Sequence, residues 1–391
     1  MIRPEEQTTR ATRKPKRKRF RLPMRILLML LVTASLWVGV CCVMTPASMK
    51  QVKTPRPGRV RNNSVAVVYS KHYQMNFAGL EKLHSFDIRK YARIYLKLNT
   101  DGMLRPEDVF VPEAVTEDEI LLVHSREFLD SLKDSPTVAR YLEAPFAAAV
   151  PNALVDAAIL NAFRYSTGGT ILAGRLALKH GVAINIGGGY HHAKPDAGEG
   201  FCIYADMPIA IRVLQKEKLI ARAMVIDLDV HQGNGTAVCL ANDKSTFTFS
   251  MHQGNIYPIP KANSDMDIEL QSGTGDKKFL AILRKKLGKA IDRARPDIVF
   301  LQAGCDTLKG DPLASLSMTQ EGIVARDAMV IDECVKRDLP VVMTLGGGYS
   351  KQAWEVQHAS IERTLKKYGG AATQTPHPRR EPTGKEKLYT K

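Results

Sequence analysis

Asp227, Asp229 and His231 alternate with apolar residues in the stretch Val225-Ile226-Asp227-Leu228-Asp229-Val230-His231-Gln232-Gly233-Asn234. A strand has a side-chain period of two, so a strand here projects two carboxylates and an imidazole from one face. Inside a covered sheet these groups cost a large desolvation energy unless they are paired or bind a cation. A divalent cation at the strand's carboxyl end satisfies all three, and open α/β sheets bind ligands at that end. The competing reading makes the Asp residues turn caps and the histidine a satisfied core residue.

Three other apolar runs end in unusual chemistry. Val182–Ile186 leads into Gly187-Gly188-Gly189-Tyr190-His191-His192, Ile298–Leu301 into Ala303-Gly304-Cys305-Asp306, and Val341–Leu345 into Gly346-Gly347-Gly348-Tyr349. In a parallel sheet all carboxyl ends share one edge, so these groups can converge, and glycine lets the backbone approach a ligand closely. Asp229, His231 and Asp306 then give a three-ligand set that leaves positions open, as a catalytic zinc site requires. Iron(II) accepts the same oxygen and nitrogen donors. A cation there polarises a carbonyl and activates water. Amide hydrolysis also needs a proton acceptor and donor, which His191 and His192 suit near neutrality. Asp227 can orient one of these histidines and Asn234, more weakly, the other. The Tyr349 hydroxyl can donate to a developing oxyanion. Taken singly, the His pair also reads as surface histidines, Asp306 as a turn residue and Tyr349 as a packed aromatic.

The elements that must position these groups follow in chain order. Strands are expected at Val65–Tyr69, Val182–Ile186, Val225–Val230, Thr246–Met251, Ile298–Leu301 and Val341–Leu345. Helices are expected at Glu81–Leu98, from just after Gly168-Gly169 to His180, at Ala205–Gln215, near Asp276–Ala294, at Gln320–Lys336 and at Lys351–Tyr368. This alternation predicts an α/β fold, a parallel sheet with helices on both faces.

The net charge of +16 over 391 residues is concentrated at the ends. Residues 1–61 hold 15 Lys and Arg against 2 Asp and Glu, residues 371–391 hold 5 against 2, and the span between is balanced. The folded domain is therefore not expected to bind nucleic acid directly. Six cysteines without a CxxC pair exclude a zinc-thiolate or disulfide framework, and the scattered thiols lean toward a reducing compartment.

Five segments are expected. Residues 1–25 form a basic arm. Residues 26–44 are uncharged and long enough to cross a bilayer, so they read as a single-pass membrane anchor, with an export signal or an organelle-targeting segment as alternatives. Residues 45–63 form a Pro- and Arg-rich linker. Residues 64–370 form the catalytic domain, and 371–391 a disordered tail.

The motifs Ile186–His192 with Gly200-Phe201-Cys202, Asp227–Gly235, Gly304–Asp306 and Gly346–Tyr349 resemble the zinc-dependent histone deacetylase family. Asn76–His84 and Tyr204-Ala205-Asp206 resemble its class IV branch. The resemblance spans roughly 64–368 in one order, far more specific than a single motif. It implies an arginase/deacetylase-type α/β fold and hydrolysis of acyl-lysine amides in proteins or peptides, with long fatty-acyl chains as well as acetyl. Zn2+ would be held by Asp229, His231 and Asp306. His192 would be the general base and acid, with His191 as its electrostatic partner backed by Asp227, and Tyr349 would polarise the carbonyl. Gly200 and Phe201 would line the acyl-lysine channel, and a structural K+ would lie near Asp227, Asp229, His231 and Ser250. Asn234 stands where many members carry Asp, which leaves its histidine less basic. Gly233 stands where dinuclear relatives carry an Asp, so one metal is expected. Acetylpolyamine deacetylation and a membrane-tethered non-catalytic protein are the alternative functions.

Overall fold

The strands read as near-continuous apolar runs, VAVV at Val65–Val68 and IVFLQ at Ile298–Gln302, because helices cover both faces of the sheet. The computed structural model describes residues 65–75, 79 and 84–369. Among them are β1 Val65–Val68, β2 Val109–Phe110, β3 Val182–Asn185, β4 Ala223–Asp227, β5 Thr246–Gln253, β6 Met266–Leu270, β7 Ile298–Gln302 and β8 Val341–Thr344. They form one sheet in the order β2-β1-β3-β8-β7-β4-β5-β6. Every neighbouring pair is parallel. The expected α/β architecture is present.

Alternation along each strand splits the core in two. Met224, Ile226, Val299, Leu301, Val341 and Met343 face one layer, built from α1 Lys90–Thr100, α5 Asp276–Ala294, α6 Gln320–Lys336 and α7 Ala353–Tyr368. Val225, Phe300 and Val342 face the other, built from α2 Asn161–His180 and α3 Asp206–Lys216. A further helix, α4 Asn234–Cys239, follows the β4 loop.

Several expected bounds are corrected. β4 ends at Asp227, so Asp229 and His231 lie in the loop beyond it rather than on a strand face. The helix expected over Glu81–Leu98 runs Lys90–Thr100, with turn and bend at 84–89. α2 does not begin after Gly168-Gly169 but passes through them. A Cβ at Gly168 would lie 1.9 Å from the Glu113 carbonyl oxygen, and one at Gly169 would lie 1.9 Å from the Tyr73 hydroxyl. These glycines permit close packing of a helix on its neighbours, which outweighs their poor helix propensity.

The membrane anchor and single-pass placement are also corrected. No helix among the described residues is long and apolar enough to cross a membrane. Residues 26–44, on which the anchor and the alternative export and targeting readings rested, lie outside the described residues. So do the basic arm, the linker, the tail, and residues 76–78 and 80–83 of the class IV stretch. Cys202, Cys239, Cys305 and Cys334 are free thiols.

α6 and α7 are tied by Asp332, which accepts from Arg363 (2.7 and 2.5 Å), Lys367 (2.9 Å) and Tyr368 (2.6 Å). Burial alone would raise its pKa, but these donors hold the carboxyl at about 2. A depressed folded pKa stabilises fully above the unfolded value of about 3.9, and the gain is lost as pH falls through about 2. Asp332→Asn should therefore cost about 1 kcal/mol at neutral pH, after discounting for solvent screening at this part-exposed site. Urea melts should show that difference vanishing between about pH 4 and 2.

Candidate active site

The four strands that end in the singled-out motifs are adjacent, β3-β8-β7-β4, at the centre of the sheet. Their loops are cross-tied by backbone bonds, Gly346 N–H to Gly188 O (3.3 Å) and Cys305 N–H to Gly347 O (3.0 Å). Position in the sheet, rather than separation in sequence, brings His191, His192, Asp229, His231, Asp306 and Tyr349 together.

Each loop is held by a buried polar side chain. The Asp206 carboxylate accepts from Gly189 N–H (2.9 Å) and Tyr190 N–H (2.7 Å), and fixes the approach to the histidine pair. Gln302 Nε2 donates to Gly189 O at 2.8 Å. Lys90 Nζ donates to Gly346 O at 2.8 Å, and Asp311 accepts from Tyr349 N–H at 2.8 Å. The fully buried Arg326 donates through Nη1 to Leu228 O (2.9 Å), Gly304 O (2.8 Å) and Thr307 Oγ1 (3.1 Å). It thus pins the two loops that carry Asp229 and Asp306. Only Asp206 stands in a motif noted from the sequence, and there not as a loop anchor, since a lone polar residue in a string reads as surface.

Asp229, His231 and Asp306 are all buried, with candidate ligand atoms within 4.8 Å of one another. His231 Nδ1 lies 3.3 Å from both Asp229 Oδ1 and Asp306 Oδ2. A cation fits this set on three counts. Asp306 Oδ1 accepts from Val230 N–H at 2.8 Å, whereas its buried Oδ2 has no hydrogen-bond partner among the described residues. A buried acceptor left in that state is costly. A Cβ at Gly347 would lie 2.2 Å from Asp306 Oδ2 and 2.6 Å from Asp229 Oδ2, so a bare backbone frames the donors. Burial first, and the Asp229 charge second, push Asp306 up to about 7, the mark of two carboxylates crowded together.

The histidines divide. His191 Nδ1 lies 2.7 Å from Asp227 Oδ2. Burial opposes its charge, but Asp227 and then Asp229 override it and raise His191 to about 9. His192 Nδ1 lies 2.7 Å from Asn234 Oδ1. Burial first, then the fields of His191 and His231, push His192 well below the ordinary imidazole value. A pair with separated pKa values is a recurring arrangement for acid–base work.

Above them lies a mainly apolar cavity, part-open to solvent. Leu142, Phe146, Ile159 and Phe163 line one part of it, and His191, His192 and Tyr349 another. Gly200 and Phe201 line it too, at the centre of a tight turn closed by Cys202 N–H to Glu199 O (2.9 Å). Both have positive φ, 53° and 67°, the signature of a type I′ turn. The Tyr349 ring is 5.8 Å from Phe201 and 6.2 Å from His231, centre to centre. Ser250 pairs in register with Asp227 across β4 and β5, and its hydroxyl meets His252 Nδ1 at 2.9 Å.

With this geometry in place, the comparisons with known proteins are specific. Histone deacetylase 2 of Arabidopsis thaliana is 40% identical over 303 residues, 77% of this chain and 78% of that protein. An uncharacterised protein of Picosynechococcus sp. is 36% identical over 305 residues, 77% of this chain and 98% of its own length. The solved HD domain of HDA15 superposes with a TM-score of 0.63 at 21% identity, covering 78% of this chain and 92% of that one, which establishes the arginase/deacetylase-type fold. The profile of the histone deacetylase domain matches residues 84–365, a span that holds every site residue described above, and the chain belongs to that family of hydrolases.

Proposed function

We propose that residues 64–370 form a metal-dependent lysine deacylase of class IV type, removing acetyl or longer fatty-acyl groups from lysine side chains in proteins or peptides. The observation that carries this reading is the orphaned Asp306 Oδ2 beside Asp229 and His231, next to a histidine pair of divided pKa. Asp229, His231 and Asp306 would hold Zn2+, with Fe2+ as the alternative. When bound, the ion supplies Lewis-acid polarisation of the amide carbonyl and a lowered pKa for water.

The chain's own residues do the rest. His192 is neutral, and with Nδ1 engaged by Asn234 its Nε2 takes the proton of the attacking water. The same nitrogen returns that proton to the leaving lysine nitrogen. His191, charged against Asp227, steadies the negative charge of the addition step. The Tyr349 hydroxyl donates to the carbonyl oxygen as charge develops there. Gly200 and Phe201 flank the lysine alkyl chain, and the apolar wall of Leu142, Phe146, Ile159 and Phe163 accommodates a long acyl tail. Class IV membership is supported by Asn234 as the partner of His192 and by Tyr204-Ala205-Asp206. A structural K+ belongs to the same proposal, with Ser250 opposite Asp227 in register and Asp229 and His231 in the loop beyond.

Acetyl and myristoyl release from lysine peptides, and acetyl release from acetylspermidine, should be followed with and without a chelator. Chelator-sensitive peptide turnover is expected, with kcat in Tyr349→Phe lower by about 10²- to 10³-fold and KM little changed. Faster acetylspermidine turnover would favour the polyamine reading, which has the exposed Glu143 between cavity-lining Leu142 and Ala144 in its support. Stoichiometric metal without hydrolysis of any substrate would leave a binding protein.

A further inference from the structure

Asn234 is an ambiguous partner for a catalytic imidazole. Its amide carries an acceptor at one end and a donor at the other, and a half-turn about its last bond exchanges them. With the oxygen toward His192, Nδ1 must carry the proton and Nε2 keeps a lone pair. With the nitrogen toward His192, the proton moves to Nε2 and the base is lost. His191 has no such ambiguity, because its partner Asp227 is a carboxylate and only accepts.

The fold resolves the ambiguity one residue further out. Asn234 Nδ2 donates to Glu199 Oε1 at 3.0 Å. Glu199 is itself held on both oxygens, by the Lys194 ammonium at Oε2 and by the Tyr257 hydroxyl at Oε1. Its backbone is bridged to Cys202 (3.0 and 2.9 Å) across the turn that carries Gly200 and Phe201. Reversing the Asn234 amide would set its oxygen against a carboxylate oxygen. Burial works against the Glu199 charge, but the bonds from Lys194, Tyr257 and Asn234 keep this carboxyl below its ordinary pKa, so it remains an acceptor.

We infer that Glu199 is a positioning residue that locks the Asn234 amide and, through it, the Nδ1–H tautomer of His192. This rests on the proposed deacylase reading for its catalytic consequence, but not for the tautomer itself. Glu199 is not among the residues that line the cavity, and its side chain bonds to Lys194, Asn234 and Tyr257 rather than to the candidate metal ligands. It supplies at one remove the acceptor-only character that a carboxylate in place of Asn234 would supply directly. The device also couples chemistry to the channel, since the strap that presents Phe201 is the one that carries Glu199.

The test uses the full chain, zinc-loaded and labelled with 15N-histidine, so that ring-nitrogen shifts report the tautomer directly. In the wild type His192 should be Nδ1–H. In Glu199→Gln the new amide no longer dictates the direction of Asn234, so a mixture of tautomers should appear. The kcat for an acyl-lysine peptide should fall about 10- to 100-fold, part of the ~10²–10⁴ that a positioned base contributes, with KM changed less than about threefold. Adding Asn234→Asp to Glu199→Gln makes the inner partner acceptor-only and should restore both the single tautomer and most of kcat. A loosened loop would not be rescued in this way. Wild-type His192 found as Nε2–H would overturn the inference whatever the variants do, and so would a Glu199→Gln protein with an unchanged tautomer. If no acyl amide is hydrolysed by the wild type, the deacylase reading fails while the ring-nitrogen shifts still decide the lock.

Discussion

Asp306→Ala should abolish metal retention and reduce acyl-amide turnover by on the order of 10³-fold or more. A bound cation contributes several kcal/mol of charge stabilisation, and each 1.36 kcal/mol is a factor of ten in rate. Asp306 is the ligand candidate with a buried oxygen that accepts no hydrogen bond from the described residues, with only the imidazole of its fellow ligand His231 close by, at 3.3 Å. Its loss also strips an acceptor from Val230 N–H, a smaller effect of about 1 kcal/mol. Linkage separates the two. A ligand that binds only the folded state raises stability by mass action, so a chelator should lower the wild-type Tm and leave that of Asp306→Ala unmoved. Elemental analysis with paired melts checks this. A variant that keeps one metal per chain would show that the ion sits elsewhere.

Arg326→Met should be the most destabilising single change, at about 3–5 kcal/mol, because it leaves the buried Asp327 carboxylate without its cation. It should also weaken metal binding by about 10- to 100-fold, the usual cost of losing a group that orients ligands. The guanidinium joins Leu228 O to Gly304 O, so its removal frees the loops on either side of the site. Arg326→Met with Asp327→Asn should recover part of the stability, since no buried charge is stranded. It should not recover the affinity, since the two carbonyls still lack their donor. Competition against a chromogenic chelator measures the second effect and urea denaturation the first. Unaltered affinity in the single variant would remove Arg326 from the site.

The contrast between these two residues shows what could be read from the string. Asp306 was visible because it follows an apolar run and a glycine, and because four such run ends recur in one chain. The parallel sheet followed from the alternation of strands with helices, and the gathering of its loops from that recurrence. The loop position of Asp229 and His231 was not visible, because apolar and acidic residues alternate past Asp227 as they would on a strand, while the ladder stops there. The short β2 and the edge strand β6 were missed. β2 has two residues, and β6 pairs on one side only and so carries Asp267 and Glu269. The passage of α2 through Gly168-Gly169 needed the neighbours Glu113 and Tyr73, which lie far off in sequence. Charges held by distant partners were hardest of all. Arg326, Lys90 and Glu199 are interpretable only through their partners, and the pairings span 98, 256 and 35 residues.

The edge strand has a consequence for how the molecule comes apart. β6 pairs only with β5, and Gln232, beside the imidazole ligand candidate, reaches across to it. Gln232 Nε2 donates to Asp267 Oδ1 and to Ala262 O, both at 2.8 Å, and Gln232 Oε1 accepts from Ala262 N–H at 2.8 Å. Rims of sheets fray at lower free energy than centres. Fraying at this rim therefore reaches the loop that carries His231 through the Gln232 amide as well as through β5, so the candidate site is exposed to breathing from the sheet's flank as well as from its mouth.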